Sequence, residues 1–149
     1  MLFNSQGRLL ETLRDYNATR RLFMGYASSF VIGILAIAGQ FLAPEFPQQG
    51  LDLIDSFFIY ALLAQFTHLG WAHLVLNLLG LAIVNWGFTG QCTTREWAAI
   101  QLASLLWVAF YLSGVERLDW YCGLSGALHF QFACCLLLAF SRSAHGLRT

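Results

Sequence analysis

The run from Leu22 to Ala43 contains no charged side chain, and this constrains the fold more than any other feature of the chain. Its 22 residues, at about 1.5 Å each, would reach roughly 33 Å as a helix, the thickness of the hydrocarbon layer of a bilayer. Three further apolar segments follow, at about 71–88, 97–113 and 123–140. Within hydrocarbon every backbone amide must be paired inside its own segment, so helices are the expected form. A shorter apolar stretch, 53–66, follows Glu45, Pro47, Gly50, Asp52 and Asp55 and reads as an interfacial helix leading into the membrane. Composition agrees, since 58% hydrophobic and 11% charged residues leave too little polar covering for a water-soluble domain of this size. The expected fold is all-α: a polytopic membrane helix bundle with about four transmembrane helices over residues 22–140.

Charge supplies the orientation. The eight basic residues are all arginine and are balanced by eight acids, so no basic face for nucleic acid is expected. Arg8, Arg14, Arg20 and Arg21 precede the first segment, Arg95 lies between the second and third, and Arg142 and Arg148 follow the fourth. Four crossings put all seven on one side, with Arg117, Glu45, Asp52, Asp55, Glu116 and Asp119 opposite. The positive-inside rule then makes 1–21 and 141–149 cytoplasmic. Leu22–Ala43 has no small-residue cleavage pattern at its end and reads as a retained anchor rather than a signal peptide. Cys92, Cys122, Cys134 and Cys135 lack zinc or redox spacing, and no disulfide framework is expected. Trp71, Trp86, Trp97, Trp107 and Trp120 fall mostly near segment ends, as interfacial anchors do.

Polar side chains inside apolar segments are costly unless they face the bundle interior and have a partner or a task. Here they cluster at two places. His68, His73 and Asn77 begin the second segment, and the four-residue step from His73 to Asn77 places both on one helical face. Gly123, Leu124, Ser125 and Gly126 begin the fourth, with a hydroxyl between glycines that allow close approach. With the N-terminus cytoplasmic, four crossings bring both clusters to the outer side. A serine near a helix N-terminus has access to water and a dipole that favours negative charge, while an imidazole and an amide can donate to an oxyanion. The combination suggests peptide hydrolysis.

These motifs resemble those of the rhomboid intramembrane serine proteases. That family carries a His, a second His five residues on and an Asn four after that in its second core helix, and GxSG at the start of its fourth. The matching residues are His68, His73 and Asn77, then Gly123, Leu124, Ser125 and Gly126, and the resemblance spans about 50–140. It implies Ser125 as nucleophile, His73 and Asn77 as oxyanion donors, and a more structural part for His68. The continuation ALH after GLSG, the compact length and the short loops look most like the rhombosortase branch, bacterial rhomboids thought to process proteins with a C-terminal GlyGly-CTERM anchor. The resemblance therefore implies a bacterial inner-membrane enzyme acting on a membrane-anchored protein substrate without a cofactor.

The sequence departs from the family in one respect. Rhomboids have six core helices and take their base from a His in the sixth, whereas these 149 residues supply four, as a partial chain would. His145 is 20 residues beyond Ser125, roughly 30 Å along a helix and on the cytoplasmic side. His129, one turn beyond Ser125, is a candidate base only as an intrahelical pair, and a satisfied core histidine is its commoner role. Each motif also has a plainer reading, because buried Ser, Gly, His and Asn often serve helix packing alone. Two other functions follow: a catalytically inactive rhomboid-like binder of membrane segments, and a haem or metal protein using His68, His73 or His129. The spacings show no closed ligand set for the second, and no metal is expected.

Overall fold

The computed structural model describes residues 19, 26–46, 56–88, 91–114 and 120–146, the side chains of 144–146 excepted. Among these residues the chain forms five helices and no strand: α1 (Tyr26–Leu42), α2 (Phe57–Ala64), α3 (Trp71–Phe88), α4 (Thr94–Ser113) and α5 (Ser125–Gly146). The all-α expectation holds. Arg8, Arg14, Arg20, Arg21, Arg117 and Arg148 lie outside the described residues, as do Asp52, Asp55, Glu116, Asp119 and the His145 side chain. Of the four expected spans, α3 and α4 are long and apolar enough to cross a membrane. The described part of α1 is apolar but shorter. Helix α5 has the length, 22 residues, but carries Ser125, His129, Gln131 and Arg142.

Helix ends differ from the expected segments for local reasons. Helix α4 begins at Thr94 because Thr93 and Glu96 form a capping box. The Glu96 amide donates to the Thr93 hydroxyl (3.2 Å) and the Thr93 amide to the Glu96 carboxylate (2.7 Å), a cap stabilising by about 1 kcal/mol. Helix α2 stops at Ala64, whose carbonyl accepts from the Thr67 amide (3.2 Å) and hydroxyl (3.0 Å). Helix α5 starts at Ser125 rather than at Gly123, whose φ of +88° is left-handed and incompatible with a helix. It runs beyond Phe140, and Arg142 there donates to Glu96 (2.9 Å) and to the Gln91 carbonyl. The start of α4 and the end of α5 therefore share one end of the bundle, opposite Ser125.

Each helix buries one stripe. On α1 it is Ser29, Ile32, Ala36 and Gln40; on α3, Leu74, Asn77, Leu81, Val84 and Asn85; on α4, Trp97, Gln101, Ser104, Leu105, Val108, Ala109 and Leu112. These spacings of three and four are those of single helix faces. Helix α5 packs against both α3 and α4, and α2 packs against α4. Gly80 lets α3 approach α5 closely, since a Cβ there would stand 3.0 Å from Leu128. Trp97 is a correction to its expected place at the interface: it is 1% exposed, because it occupies the inward stripe of α4 with Gln101 and Ser104.

Polar groups are buried among the apolar core, and many large apolar side chains face outward. Ser29 donates to Asn85 (3.0 Å), Gln101 to Ser29 (2.7 Å), Ser104 to the Gln101 carbonyl (2.7 Å) and Gln131 to Ser104 (3.0 Å). This buried chain of bonds ties α1, α3, α4 and α5 together. Phe30, Leu42, Leu76, Ile83, Trp86 and Phe110 meanwhile face outward.

Candidate active site

The segment between α4 and α5 is held down before it reaches Ser125. The Tyr60 hydroxyl, on the buried face of α2, accepts from the Tyr121 amide (2.9 Å) and donates to the Tyr121 carbonyl (3.3 Å). Two residues on, the Gly123 amide donates to the Ala64 carbonyl (3.1 Å). Gln65, wholly buried, donates to the Leu105 carbonyl (2.9 Å) and locks the end of α2 onto α4. The short helix thus acts as a fixed ledge for the loop.

On that ledge the two sequence motifs meet. A Cβ at Gly123 would lie 2.8 Å from Cε1 and 3.0 Å from Nε2 of His73, and 3.3 Å from Nδ2 of Asn77. A side chain at position 123 would overlap the imidazole unless His73 moved, so glycine suits the close contact as well as the positive φ. Asn77 is oriented by a bond from Nδ2 to the His73 carbonyl (3.0 Å), and Nδ1 of His73 faces the Cys122 sulfur at 3.9 Å. Ser125 follows as the first residue of α5.

His73, Asn77, Ser125 and His129 all line one cleft between α3 and α5, of about 480 Å³, whose remaining wall is apolar. That volume suits a small ligand or a few residues of a substrate. A larger cleft of about 670 Å³ between α1 and α3 contains no His, Cys or acid, and its Ser29 and Asn85 belong to the buried network.

The other expected residues fall into place around it. His68 is fully buried, with its ring edge-on to His73 at 5.2 Å between centroids. Neither of its ring nitrogens has a partner among the described residues. Burial, and then the neighbouring His73, lower its pKa to about 4, so it is neutral at pH 7. Gly126 lies against the Tyr121 phenol and Val108. His129 donates from Nδ1 to the Ser125 carbonyl (2.6 Å), a bond to the backbone rather than to the hydroxyl. Among the described residues no three His, Cys, Asp or Glu side chains are grouped to hold a metal, and all four cysteines are free thiols.

Sequence reasoning missed Tyr60, Gln65 and Tyr121, which hold the loop, because single aromatic or amide residues at helix ends have no distinctive spacing. No family model, curated protein or solved structure matches this chain.

Proposed function

We propose that this chain is a rhomboid-type intramembrane serine endopeptidase, most similar to the rhombosortase branch. The observation that carries the reading is the contact of Gly123 with His73 and Asn77. It brings two polar motifs, separated by 45 to 50 residues of sequence, to the mouth of one cleft beside Ser125. In this reading Ser125 attacks the substrate carbonyl, and His73 and Asn77 donate to the oxyanion that forms. The start of α5 adds its positive dipole end at the same point. No cofactor takes part.

The large apolar exterior, with a buried polar network joining the helices, supports a location in a membrane, here a bacterial inner membrane with the N-terminus cytoplasmic. In water such an apolar exterior would drive association, whereas in hydrocarbon it is solvated and the buried polar network joins the helices. A membrane-anchored protein would enter the cleft from the bilayer, with GlyGly-CTERM proteins as the substrate class suggested by resemblance.

A second reading is a catalytically inactive binder of membrane segments. It is favoured by the hydrogen bond of His129, which goes to the Ser125 carbonyl. A fluorophosphonate probe on the purified chain separates the two. Covalent labelling that disappears in Ser125→Ala supports the peptidase, and an unlabelled, folded wild-type chain supports the binder.

A further inference from the structure

We propose that Tyr121 is a catalytic residue whose phenol donates a hydrogen bond to the Ser125 hydroxyl, and that Tyr60 is the positioning residue that aims it. The inference rests on the reading of Ser125 as nucleophile. It starts from an anomaly: the phenol oxygen of Tyr121 is enclosed by protein, yet no hydrogen bond of ordinary geometry reaches it. A buried hydroxyl without a partner costs about 1–3 kcal/mol, so its place calls for a reason.

Its immediate polar neighbours are the Ser125 hydroxyl and the Gly126 amide. Gly126 makes room for it, because a Cβ there would stand 2.8 Å from the phenol oxygen. The ring packs in the groove between α4 and α5 beside Val108 and Leu112. That groove is distinct from the cleft lined by His73 and Asn77. Ser125 therefore has a polar neighbour on each side: oxyanion donors across the cleft, and a phenol behind it.

The chemistry follows from the inventory of donors. The Gly126 amide can only donate, so it cannot take the phenol proton, which is left for an acceptor. The acceptor within reach is Oγ of Ser125. Burial raises the pKa of Tyr121, so the phenol remains a donor through the neutral range. A bond in that direction turns the Ser125 proton towards the cleft and stabilises negative charge as it develops on Oγ. It forms when the two side chains shift towards each other, since no bond of ordinary geometry joins them at rest. Tyr60 determines whether the phenol can do this, because it grips the Tyr121 amide and carbonyl together.

The test is the pH dependence of labelling of the full chain in detergent micelles by an alkyl fluorophosphonate. In Tyr121→Phe the rate should fall about ten- to a hundredfold, up to the scale of losing one oxyanion donor, and the half-maximal rate should move to higher pH. Tyr60→Phe should slow labelling without moving the profile. Incorporation of 3-fluorotyrosine in place of Tyr121 keeps the shape and acidifies the phenol, and should move the profile to lower pH. If Tyr121→Phe keeps the wild-type profile, or if fluorination leaves it unchanged, the phenol is a packing group and the proposal fails. A wild-type chain that is never labelled at Ser125 removes the nucleophile reading itself, a result distinguishable from the others.

Discussion

His73 and Gly123 are in contact across the interface between α3 and the loop that precedes α5: a Cβ on the glycine would come within 2.8 Å of the imidazole Cε1. This contact sets the distance between the second helix of the site and its serine. In Gly123→Ala the methyl group must displace the imidazole, and the backbone must hold φ +88° with a side chain present. We expect a stability loss of about 1–2 kcal/mol from the left-handed conformation alone, and a further loss of labelling at Ser125. Thermal unfolding in detergent and probe labelling, measured on the same preparation, check both.

His73→Ala and Asn77→Ala should each slow hydrolysis by roughly ten- to a thousandfold, the range for loss of one oxyanion donor. The loss should appear in kcat more than in KM, because the bond strengthens only as the oxyanion forms. Steady-state cleavage of a membrane-anchored substrate is the measurement, and equal turnover in both variants and wild type would refute the proposed assignment.

His68 makes stability depend on pH. Its folded pKa, about 4, is below the ordinary value of 6.5, so between these values the unfolded chain binds a proton that the folded chain refuses. Stability is therefore full above about pH 6.5 and falls as the pH drops towards 4, by on the order of 3 kcal/mol in total. Melting temperatures at pH 7 and pH 4.5 should differ in wild type and converge in His68→Gln.

The buried network gives a separate prediction. Gln101→Leu removes the donor to Ser29 and should destabilise the bundle by about 0.6–1.7 kcal/mol, the range for interhelical hydrogen bonds in membranes. The value stays small because the unfolded chain also finds partners in the bilayer. Unfolding by denaturing detergent would measure it, and a loss above about 4 kcal/mol would show that Gln101 does more than join helices.

Thr93→Ala removes the side-chain half of the capping box and should cost about 1 kcal/mol, at the end of the bundle far from Ser125. Labelling should be unchanged, which makes this variant a control for the others.

Much of the candidate site was legible in the sequence because it depends on local spacing. The step from His73 to Asn77 lies within one helix, where 3.6 residues per turn determine which side chains share a face. Ser125 between glycines is likewise a local pattern. The start of α4 was equally open to reading, since Thr93 and Glu96 have the spacing of a capping box, yet apolar content alone placed it at Trp97. Trp97 itself was misplaced because proximity to a helix end does not reveal which face is inward.

The sequence by itself determined the helices, their apolar exterior and the few polar residues that could carry chemistry, because backbone pairing and side-chain period act over a few residues. Only the tertiary structure decided which of those groups meet. It placed Gly123 against His73, spent the Nδ1 proton of His129 on the Ser125 carbonyl, and brought Tyr60, from the short helix α2, onto Tyr121 behind the serine. Those contacts join residues 4 to 61 positions apart in the chain, and over the longer separations they are set by how α2, α3 and α5 pack, which no spacing within a single helix encodes.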